Sequence, residues 1–320
     1  MENLEVENTP ERRRDDTPAK GSILAVVVLY GMSPRESATL RTLQKSILLS
    51  QSMGKFKILI YDNTPGGHSL EMNSNDYAYH VSNANIGLAG AYNYALQMAE
   101  EEGFEWLLTL DQDTELTREY VGRLFQLVQR LSPDNRVAAI VPCVVDQGMI
   151  ISPHANFLGF AWEFPKRFEG LSERETAAIN SATSWRVTTL RAIGGFNPLF
   201  WLDYLDYWVC HSIHHLGQRI YVDSNLVIDH QLSLLDKNNR MKKDRYANFL
   251  GAESAFYDLY KTRTEGFLLT LRIGCRMLKQ IVRCENAQFR SLTWDSLKRR
   301  LLMSRQARTE DWRCKIGPSG

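Results

Sequence analysis

The stretch I-L-A-V-V-V-L-Y, residues 23–30, is apolar without interruption, and this pattern indicates the class of fold. A strand needs no polar side chains when both of its faces are covered, and such strands lie in parallel sheets with helices on each side. The stretch therefore predicts an α/β protein with a mostly parallel sheet that is buried on both faces.

Alternating segments along the next hundred residues extend this prediction. Ser33, Pro34 and Glu36 have the spacing of a capping box and predict where the first helix begins. The alternation of strands and helices predicts a doubly wound sheet over residues 21–145. The predicted strands lie at 55–63, 77–81, 104–110 and 137–145, and the predicted helices at 33–51, 87–102 and 116–131.

The remaining residues form three further regions. Residues 1–20 are polar and charged, which is typical of a disordered tail. Residues 146–240 combine short strands with a helix near 205–216 and are interpreted as the second half of the same domain. Residues 241–320 have a helical pattern and are predicted to form a C-terminal helical region.

Composition and cysteine usage limit the class of protein. With 320 residues, a net charge of +1 and 44% hydrophobic residues, the chain is typical of a globular protein with no charge preference for nucleic acid. Its five cysteines form no C-x-x-C pair, and no apolar run is long enough for a signal segment or a membrane span. These features predict reduced cysteines and a cytoplasmic protein.

Two carboxylates follow the predicted strand that ends at residue 110. Asp111 and Asp113 are two positions apart, so in an extended segment their side chains point the same way. Like charges at such a short distance repel each other, and a divalent cation between them relieves the repulsion. Carboxylate oxygens suit Mg²⁺ or Mn²⁺. The alternative is that Asp111 only ends the strand and Asp113 caps the following helix.

Polar residues also follow the first two strands, at Tyr30 and at Asp62 and Asn63. Ligands of open parallel sheets bind outside the carboxyl ends of the strands, so these residues and Asp111 are expected to line one crevice. Asp62 and Asn63 are interpreted as acceptors for a nucleotide base or, equally, as ordinary turn residues.

The segment N-A-N-I-G-L-A-G-A-Y-N, residues 83–93, joins a strand to a helix. Its glycines permit close approach of the backbone, and the helix start favours an anion. The alternative is a helix that packs tightly through Gly and Ala. The segment is not G-x-G-x-x-G, so a dinucleotide site is disfavoured.

Asp203 and Asp206 lie among aromatic residues in F-W-L-D-Y-L-D-Y-W-V, residues 200–209. Aromatic surroundings raise the pKa of a carboxyl group and offer a stacking platform for a sugar, whereas the alternative is helix capping. His211 and His215 lack the rest of a zinc motif. His230 ends a later strand and is interpreted as a third metal ligand or as a structural histidine.

These motifs occur in the same order as in family 2 glycosyltransferases, and the chain resembles the bacterial rhamnosyltransferase branch most. The resemblance covers about residues 23–230 and is weaker in the helical tail. The matching residues are Tyr30, Y-D-N-T at 61–64, N-x-N-x-G-L-A-G-A-x-N at 83–93, L-D-Q-D-T at 110–114, G-G-F-N-x-x-F-W-L-D-Y-L-D at 194–206 and His230.

The resemblance implies a GT-A fold, a nucleoside-diphosphate sugar donor, Mn²⁺ or Mg²⁺, and inverting transfer to a saccharide or polyprenyl-linked saccharide. It implies a nucleotide-sugar half at 21–145 and an acceptor and catalytic half at 146–240. The expected site comprises donor contacts from Tyr30, Asp62, Asn63, Asn85, Gly87, Asn93, Asp111 and Gln112, metal ligands Asp111, Asp113 and His230, a base at Asp203 or Asp206 with Asp203 favoured, and acceptor contacts from Trp201 and Tyr204.

The donor and the class of protein have named alternatives. The branch suggests rhamnose from dTDP-rhamnose, while UDP-galactose, UDP-glucose and UDP-N-acetylglucosamine stay open. A sugar nucleotidyltransferase is disfavoured because Gly31–Pro34 is not a basic, Gly-rich loop. A non-catalytic nucleotide-binding protein on the same fold is the alternative from another class.

The last region carries a basic excess, with fourteen Lys and Arg against five Asp and Glu over residues 261–315. Residues Glu265–Val282 mix apolar and basic side chains at helical spacing, which predicts contact with an anionic membrane surface. A membrane contact suits a lipid-linked acceptor at the inner face of the cytoplasmic membrane. The alternative is packing on the catalytic domain or on a second subunit of a homo-oligomer.

Overall fold

A ten-stranded sheet forms the centre of the computed structural model, which describes residues 18–50, 54–68, 75–146, 148–157, 160–165, 167–229, 242–283 and 286–316. Residues 1–17 of the expected disordered tail lie outside the described residues, as do His230 and Cys284. The first part of the chain forms β1 (Ala19–Leu29), α1 (Ala38–Leu49), β2 (Phe56–Asp62), β3 (Tyr77–Val81), α2 (Gly87–Glu101), β4 (Phe104–Asp111), β5 (Glu115–Leu116), α3 (Tyr120–Leu131) and β6 (Val137–Asp146).

The second part adds short strands, two helices and a long strand. It comprises β7 (Met149–Ser152), β8 (His154–Phe157), β9 (Phe160–Glu163), β10 (Glu169–Leu171), β11 (Thr176–Ala177), β12 (Thr183–Arg186), α4 (Val187–Ala192), α5 (Leu205–His215) and β13 (Arg219–Asp229). The C-terminal helices are α6 (Lys243–Tyr260), α7 (Arg263–Val282), α8 (Ala287–Leu302) and α9 (Arg305–Ile316).

Strand β1 is buried on both faces, as its sequence predicts. Leu24 and Val26 belong to the hydrophobic cluster that also contains side chains of α2, α4 and α5. Ile23, Ala25 and Val27 belong to a second cluster, formed with α1 and α3. Since successive strand residues point to opposite faces, the unbroken apolar stretch fills both layers.

The sheet is mostly parallel, which confirms the predicted α/β class. Strand β1 pairs in parallel with β2 and β4, β2 with β3, and β6 with β13. Strand β12 runs antiparallel between β4 and β6, and β10 pairs antiparallel with β13. The insertion of β12 was not predicted, because nothing in four residues indicates which strands they will separate. Strands β8, β9 and β11 form a separate small sheet.

Two helix starts differ from the predictions. The predicted start of α1 at Ser33 is wrong. The Ser33 amide and hydroxyl do bond Glu36, at 3.0 and 2.7 Å, but these bonds close an isolated turn that is not part of the helix. Helix α1 begins at Ala38, because Ser37 accepts a bond from the Leu40 amide. Helix α3 begins at Tyr120 rather than 116, because residues 115–116 pair with β13 as β5.

Buried ion pairs hold the C-terminal helices together, and the predicted helical region is confirmed. Glu253 of α6 pairs with Arg272 and Arg276 of α7, at 3.2 and 2.9 Å. Asp258 of α6 pairs with Arg308 of α9 at 2.7 Å. Over the described residues, no helix has both the length and the apolar character to cross a membrane.

Candidate active site

The start of α1 positions the loop that carries the two carboxylates. The Thr39 hydroxyl donates to the Asp111 carbonyl at 2.5 Å and accepts from the Thr114 amide at 2.8 Å. The Ser37 hydroxyl donates to the Gln112 carbonyl at 2.8 Å. These bonds fix the backbone of the loop that carries Asp111 and Asp113.

The end of β1 is bonded both to this loop and to the end of β2. The Tyr30 amide donates to the Gln112 side-chain oxygen at 2.8 Å, and the Gly31 amide donates to the Thr64 hydroxyl at 2.9 Å. The ring of Tyr30 is 55% exposed. The carboxyl ends of β1, β2 and β4 therefore lie at one edge of the sheet, joined by these bonds.

Asp111 and Asp113 have different surroundings. Asp111 is half-buried and accepts a long hydrogen bond, 3.5 Å, from the hydroxyl of the buried Tyr92. Asp113 is exposed. The alternative interpretation of Asp113 as a helix cap is excluded, because α3 begins after Glu119 and has no side-chain cap.

A divalent cation fits this pair by its donor chemistry. Two carboxylates leave coordination positions for water and phosphate oxygens, which is the arrangement that Mg²⁺ and Mn²⁺ accept. Across the part of the chain that the structure describes, no group of three His, Cys, Asp or Glu side chains is placed to hold a metal ion. The third expected ligand, His230, lies outside that part.

Asp203 is enclosed by α6. Its side chain is 3% exposed and forms an ion pair with Arg245 at 2.8 Å. Its other oxygen accepts from the Asn248 amide at 2.5 Å, and the Asn248 oxygen accepts from the Trp201 indole at 3.2 Å. Burial raises the pKa of Asp203, and Arg245 and Asn248 lower it in part. Both oxygens are thus occupied by the protein.

Asp206 lies one turn later, at the start of α5, and is half-buried. Its carboxylate accepts from the Tyr207 amide at 2.9 Å. Burial raises the pKa of Asp206 to about 7, and the negative charges of Asp203 and Asp111 add to the effect. A carboxyl group with this pKa exchanges protons near neutrality.

Tyr92 of α2 connects the two acidic groups. Burial raises the pKa of its hydroxyl well above the ordinary value, and the charges of Asp111 and Asp206 raise it further. Tyr92 therefore contacts Asp111 and lies within electrostatic range of Asp206, and the charges of Asp111 and Asp206 also influence each other. Neither the strand pattern nor the helix pattern indicates this meeting.

The start of α2 binds the backbone of the aromatic motif. The amides of Leu88 and Ala89 donate to the Trp201 carbonyl, at 2.8 and 3.3 Å. Gly87 has φ +71°, and a Cβ atom there would lie 2.5 Å from that carbonyl oxygen. The Asn85 side chain accepts from the Gly87 amide at 3.0 Å. The Leu88 and Ala89 amides are consequently not available to bind an anion, contrary to the expectation for this helix start.

The asparagines of the donor motifs support the backbone. Asn63 is buried and joins the Ile86 amide, at 3.0 Å, to the Gly87 carbonyl, at 3.2 Å. Asn93 binds both the amide and the carbonyl of Phe196, at 2.8 and 2.7 Å. Each of the two side chains thus bonds backbone groups through both its amide oxygen and its amide nitrogen.

Asp62 is fully buried at the end of β2. It accepts from the Thr64 amide at 3.0 Å, from the Tyr79 hydroxyl at 2.7 Å and from the His68 amide at 3.1 Å, and the His68 ring nitrogen lies 2.7 Å away. Burial raises the pKa of Asp62, but the bonds from His68, Tyr79 and Thr64 outweigh it and the pKa is lowered.

The two expected acceptor contacts are placed differently. Trp201 is half-buried, whereas Tyr204 is 8% exposed and packs on Phe256 within the hydrophobic core. Tyr207 stacks on Tyr204 at 4.8 Å and is 42% exposed. Sequence reasoning did not select Tyr207, although the buried helix positions on each side of it place it outward. Arg245 was also missed, because no motif marks α6.

Comparison with known proteins gives a family match and a fold. Residues 33–185 match the model of the glycosyl transferase family 2. The crystal structure of GalNAc-T7 with UDP, GalNAc and Mn²⁺ is similar with TM-score 0.52 and 12% identity, over 75% of this chain. The chain spans 50% of the length of that GalNAc-T7 chain. The fold is therefore GT-A, with added C-terminal helices.

A second similar structure is S. aureus TarS 1-349. It matches with TM-score 0.48 and 14% identity, over 93% of this chain and 90% of that one. The longer TarS structure matches over 55% of its length. No curated protein matches the sequence.

Proposed function

We propose that this protein is an inverting, metal-dependent glycosyltransferase that uses a nucleoside-diphosphate sugar. One arrangement carries the proposal: Asp111, which accepts from the Tyr92 hydroxyl, and the exposed Asp113 follow β4, and the charge of Asp111 reaches Asp206 at the start of α5 and helps to raise its pKa. A pair of metal-type carboxylates beside a carboxyl group of near-neutral pKa is what transfer from a diphosphate donor to a hydroxyl requires. The match to glycosyl transferase family 2 and the GT-A fold support it.

Asp111 and Asp113 would hold Mn²⁺ or Mg²⁺, with His230 as the proposed third ligand. The ion, when bound, neutralises charge on the leaving diphosphate. Tyr30, Asn85 and Gln112 are proposed to line the donor. Asn63, Gly87 and Asn93 are proposed to affect donor binding indirectly, through the backbone that they hold in position. Asp62 is proposed to hold the turn that contains Thr64 and His68, and the nucleotide base would lie beside this turn.

We assign the base to Asp206 rather than Asp203. The carboxylate of Asp206 would accept the proton of the acceptor hydroxyl while that oxygen attacks the anomeric carbon and the diphosphate leaves. Asp203 has its oxygens bound by Arg245 and Asn248, so it would hold Trp201 and the start of α5 in position. Tyr207 and Trp201 are proposed as the aromatic contacts of the acceptor.

The proposed donor is dTDP-rhamnose, and the proposed acceptor is a glycan or a polyprenyl-linked saccharide of a bacterial surface polysaccharide such as O-antigen or cell-wall polymer. This choice is supported by the resemblance of the D-Q-D-T and D-Y-L-D motifs to the rhamnosyltransferase branch. UDP-galactose, UDP-glucose and UDP-N-acetylglucosamine are the alternatives that the same site chemistry accepts.

Three variants test the assignment with the purified chain, Mn²⁺ and a panel of these four sugar nucleotides. Asp113→Ala should abolish the Mn²⁺-dependent part of donor binding in calorimetry. Asp206→Asn should keep donor binding but lower turnover by about 10²–10⁴-fold, the usual contribution of a general base. Asp203→Asn should lower the stability, because it removes one partner of a buried ion pair.

The outcomes separate the alternatives. Loss of turnover in Asp203→Asn at unchanged stability, with Asp206→Asn active, would make Asp203 the base. Unchanged Mn²⁺-dependent binding in Asp113→Ala would exclude its role as a ligand. Donor binding without hydrolysis or transfer by the wild type would instead indicate a non-catalytic nucleotide-binding protein.

A further inference from the structure

Helix α7 exposes an apolar stripe. Phe267, Leu271, Leu278, Ile281 and Val282 are between 51% and 82% exposed. At 100° per residue they lie on one side of the helix, and they extend over about 22 Å of its length. Large apolar side chains that are contiguous and exposed mark a contact surface.

The opposite side of α7 attaches the helix to the protein. Leu269 and Ile273 are buried in the cluster that also contains α5 and α6. Arg272 and Arg276 bind the buried Glu253 of α6. The stripe is therefore not needed for the core, and its direction is fixed by contacts on the other side of the helix.

The surface around the stripe is basic. Arg263 lies at its beginning and Lys279 and Arg283 at its end, and all three are exposed. On the neighbouring α8, Trp294 is 44% exposed and carries the Lys298 ammonium 5.3 Å above its ring.

We propose that this stripe on α7 docks on an anionic lipid bilayer, with its apolar side chains inserted at the interface. Apolar side chains flanked by Lys and Arg bind such surfaces through burial and through attraction to anionic headgroups. An exposed Trp beside Lys is also common at the membrane interface. Docking there would hold the protein at the surface that carries bilayer-anchored acceptors, a consequence that rests on the proposed function.

The charge pattern favours a bilayer over a second copy of this chain. In a two-fold symmetric contact the same surface faces itself. The basic ends of the stripe would then lie near equivalent basic ends, and like charges that face each other across an interface oppose association. An anionic bilayer satisfies both the apolar stripe and its basic ends.

Flotation of the full chain with vesicles tests the proposal. The wild type should float with vesicles of phosphatidylcholine and phosphatidylglycerol. The partition coefficient of Leu271→Gln/Leu278→Gln should be lower by about tenfold or more, because this variant removes apolar area from the inserted side. The matched control is Leu48→Gln/Leu49→Gln on α1, whose side chains are 83% and 58% exposed. This control should float like the wild type.

The charges give a second measurement. Lys279→Glu/Arg283→Glu should lower partitioning into the anionic vesicles by about fivefold or more for each residue. The wild type should bind vesicles of pure phosphatidylcholine as weakly as this variant binds the anionic vesicles. Equal flotation of the wild type and the stripe variant would overturn the proposal. So would a concentration-dependent dimer in light scattering that Leu271→Gln/Leu278→Gln abolishes. Flotation requires neither donor nor acceptor, so its result is independent of the proposed reaction.

Discussion

Asp203 and Asp206 lie three positions apart and carry the same functional group, but their hydrogen-bond and ion-pair partners differ. Asp203 is enclosed by Arg245 and Asn248, whereas Asp206 receives a bond only from the amide beside it among the contacts described. A base must have a free oxygen for the incoming proton. At the level of single residues, the contacts therefore decide the role more than the residue type.

The pH dependence of turnover should show the titration of Asp206. Burial raises the pKa of this carboxyl group to about 7 in the ligand-free protein. Because a base acts only when it is deprotonated, kcat/KM should fall about tenfold per pH unit below that value and level off above it. The residual activity of Asp206→Asn should lack this acid limb. A wild-type profile that is flat from about pH 5 to pH 8 would contradict the assignment.

Gly87 permits a close contact that no other residue would. In Gly87→Ala, the new Cβ would lie 2.5 Å from the Trp201 carbonyl oxygen, at φ +71°. The matched control is Gly103→Ala, with φ +68° and nothing within 4 Å. The control should lose about 1–2 kcal/mol from the left-handed backbone alone. Gly87→Ala should lose about 1–3 kcal/mol more, because the contact is overpacked.

Urea unfolding measures these losses, and calorimetry measures the effect on the site. Gly87→Ala should also weaken donor binding, since the start of α2 and Trp201 form one wall of the crevice. Equal stabilities of the two variants would show that the backbone moves to relieve the clash.

At the scale of elements, α1 serves the site by holding the loop after β4. Thr39 of this helix and its N-cap Ser37 bond four backbone groups of residues 111–114. The same helix bonds the start of α3 through Ser46, whose hydroxyl donates to the Arg118 carbonyl and accepts from the Val121 amide, both at 2.9 Å. One helix thus makes two similar contacts, of which only one adjoins the carboxylates.

This pair of contacts allows a matched test of the role of α1. Thr39→Val and Ser46→Ala each remove a buried hydroxyl that bonds two residues of another segment, Asp111 and Thr114 in one case and Arg118 and Val121 in the other. Each variant should therefore lose about 1–3 kcal/mol of unfolding free energy. Only Thr39→Val should weaken Mn²⁺-dependent donor binding, because it releases the Asp111–Thr114 loop. If both variants bind the donor equally well, the loop does not depend on α1 for its geometry.

At the scale of the whole molecule, Glu175 joins three distant parts. It lies in the connection from β10 to β11, its carboxylate is 2.6 Å from the Lys261 ammonium at the end of α6, and it is 2.9 Å from the His211 ring of α5. Burial raises the pKa of Glu175, but the bonds from His211 and Lys261 more than offset it and lower the pKa to about 2.

The stability of the protein should consequently depend on pH through Glu175. A carboxyl group whose pKa is lowered by folding stabilises the protein above its unfolded pKa of 4.5, and this contribution is lost as the pH falls toward 2. Glu175→Gln should cost about 3 kcal/mol at pH 7 and progressively less at pH 4 and pH 3. Urea unfolding at the three pH values measures the difference. A cost that does not change with pH would exclude the ionic contribution.

The parts of the fold and the site that the sequence predicted share one property: they depend on neighbours along the chain. The burial of β1 on both faces follows from its unbroken apolar run, and the placement of Asp111 at a strand end follows from the strand before it. The role of Asn93 and the position of β12 were not predicted, because Phe196 and strand β4 are distant in sequence. Local spacing contains no information about such partners.

The amino-acid sequence by itself determined the α/β class, the parallel arrangement of the first strands and the presence of acidic residues at one edge of the sheet. Only the tertiary structure decided that Asp203 is enclosed and that Asp206 lies near Asp111 and Tyr92. The physical reason is that burial and the electric field at a carboxyl group depend on distances in space, and α6, which encloses Asp203, is about forty residues away along the chain.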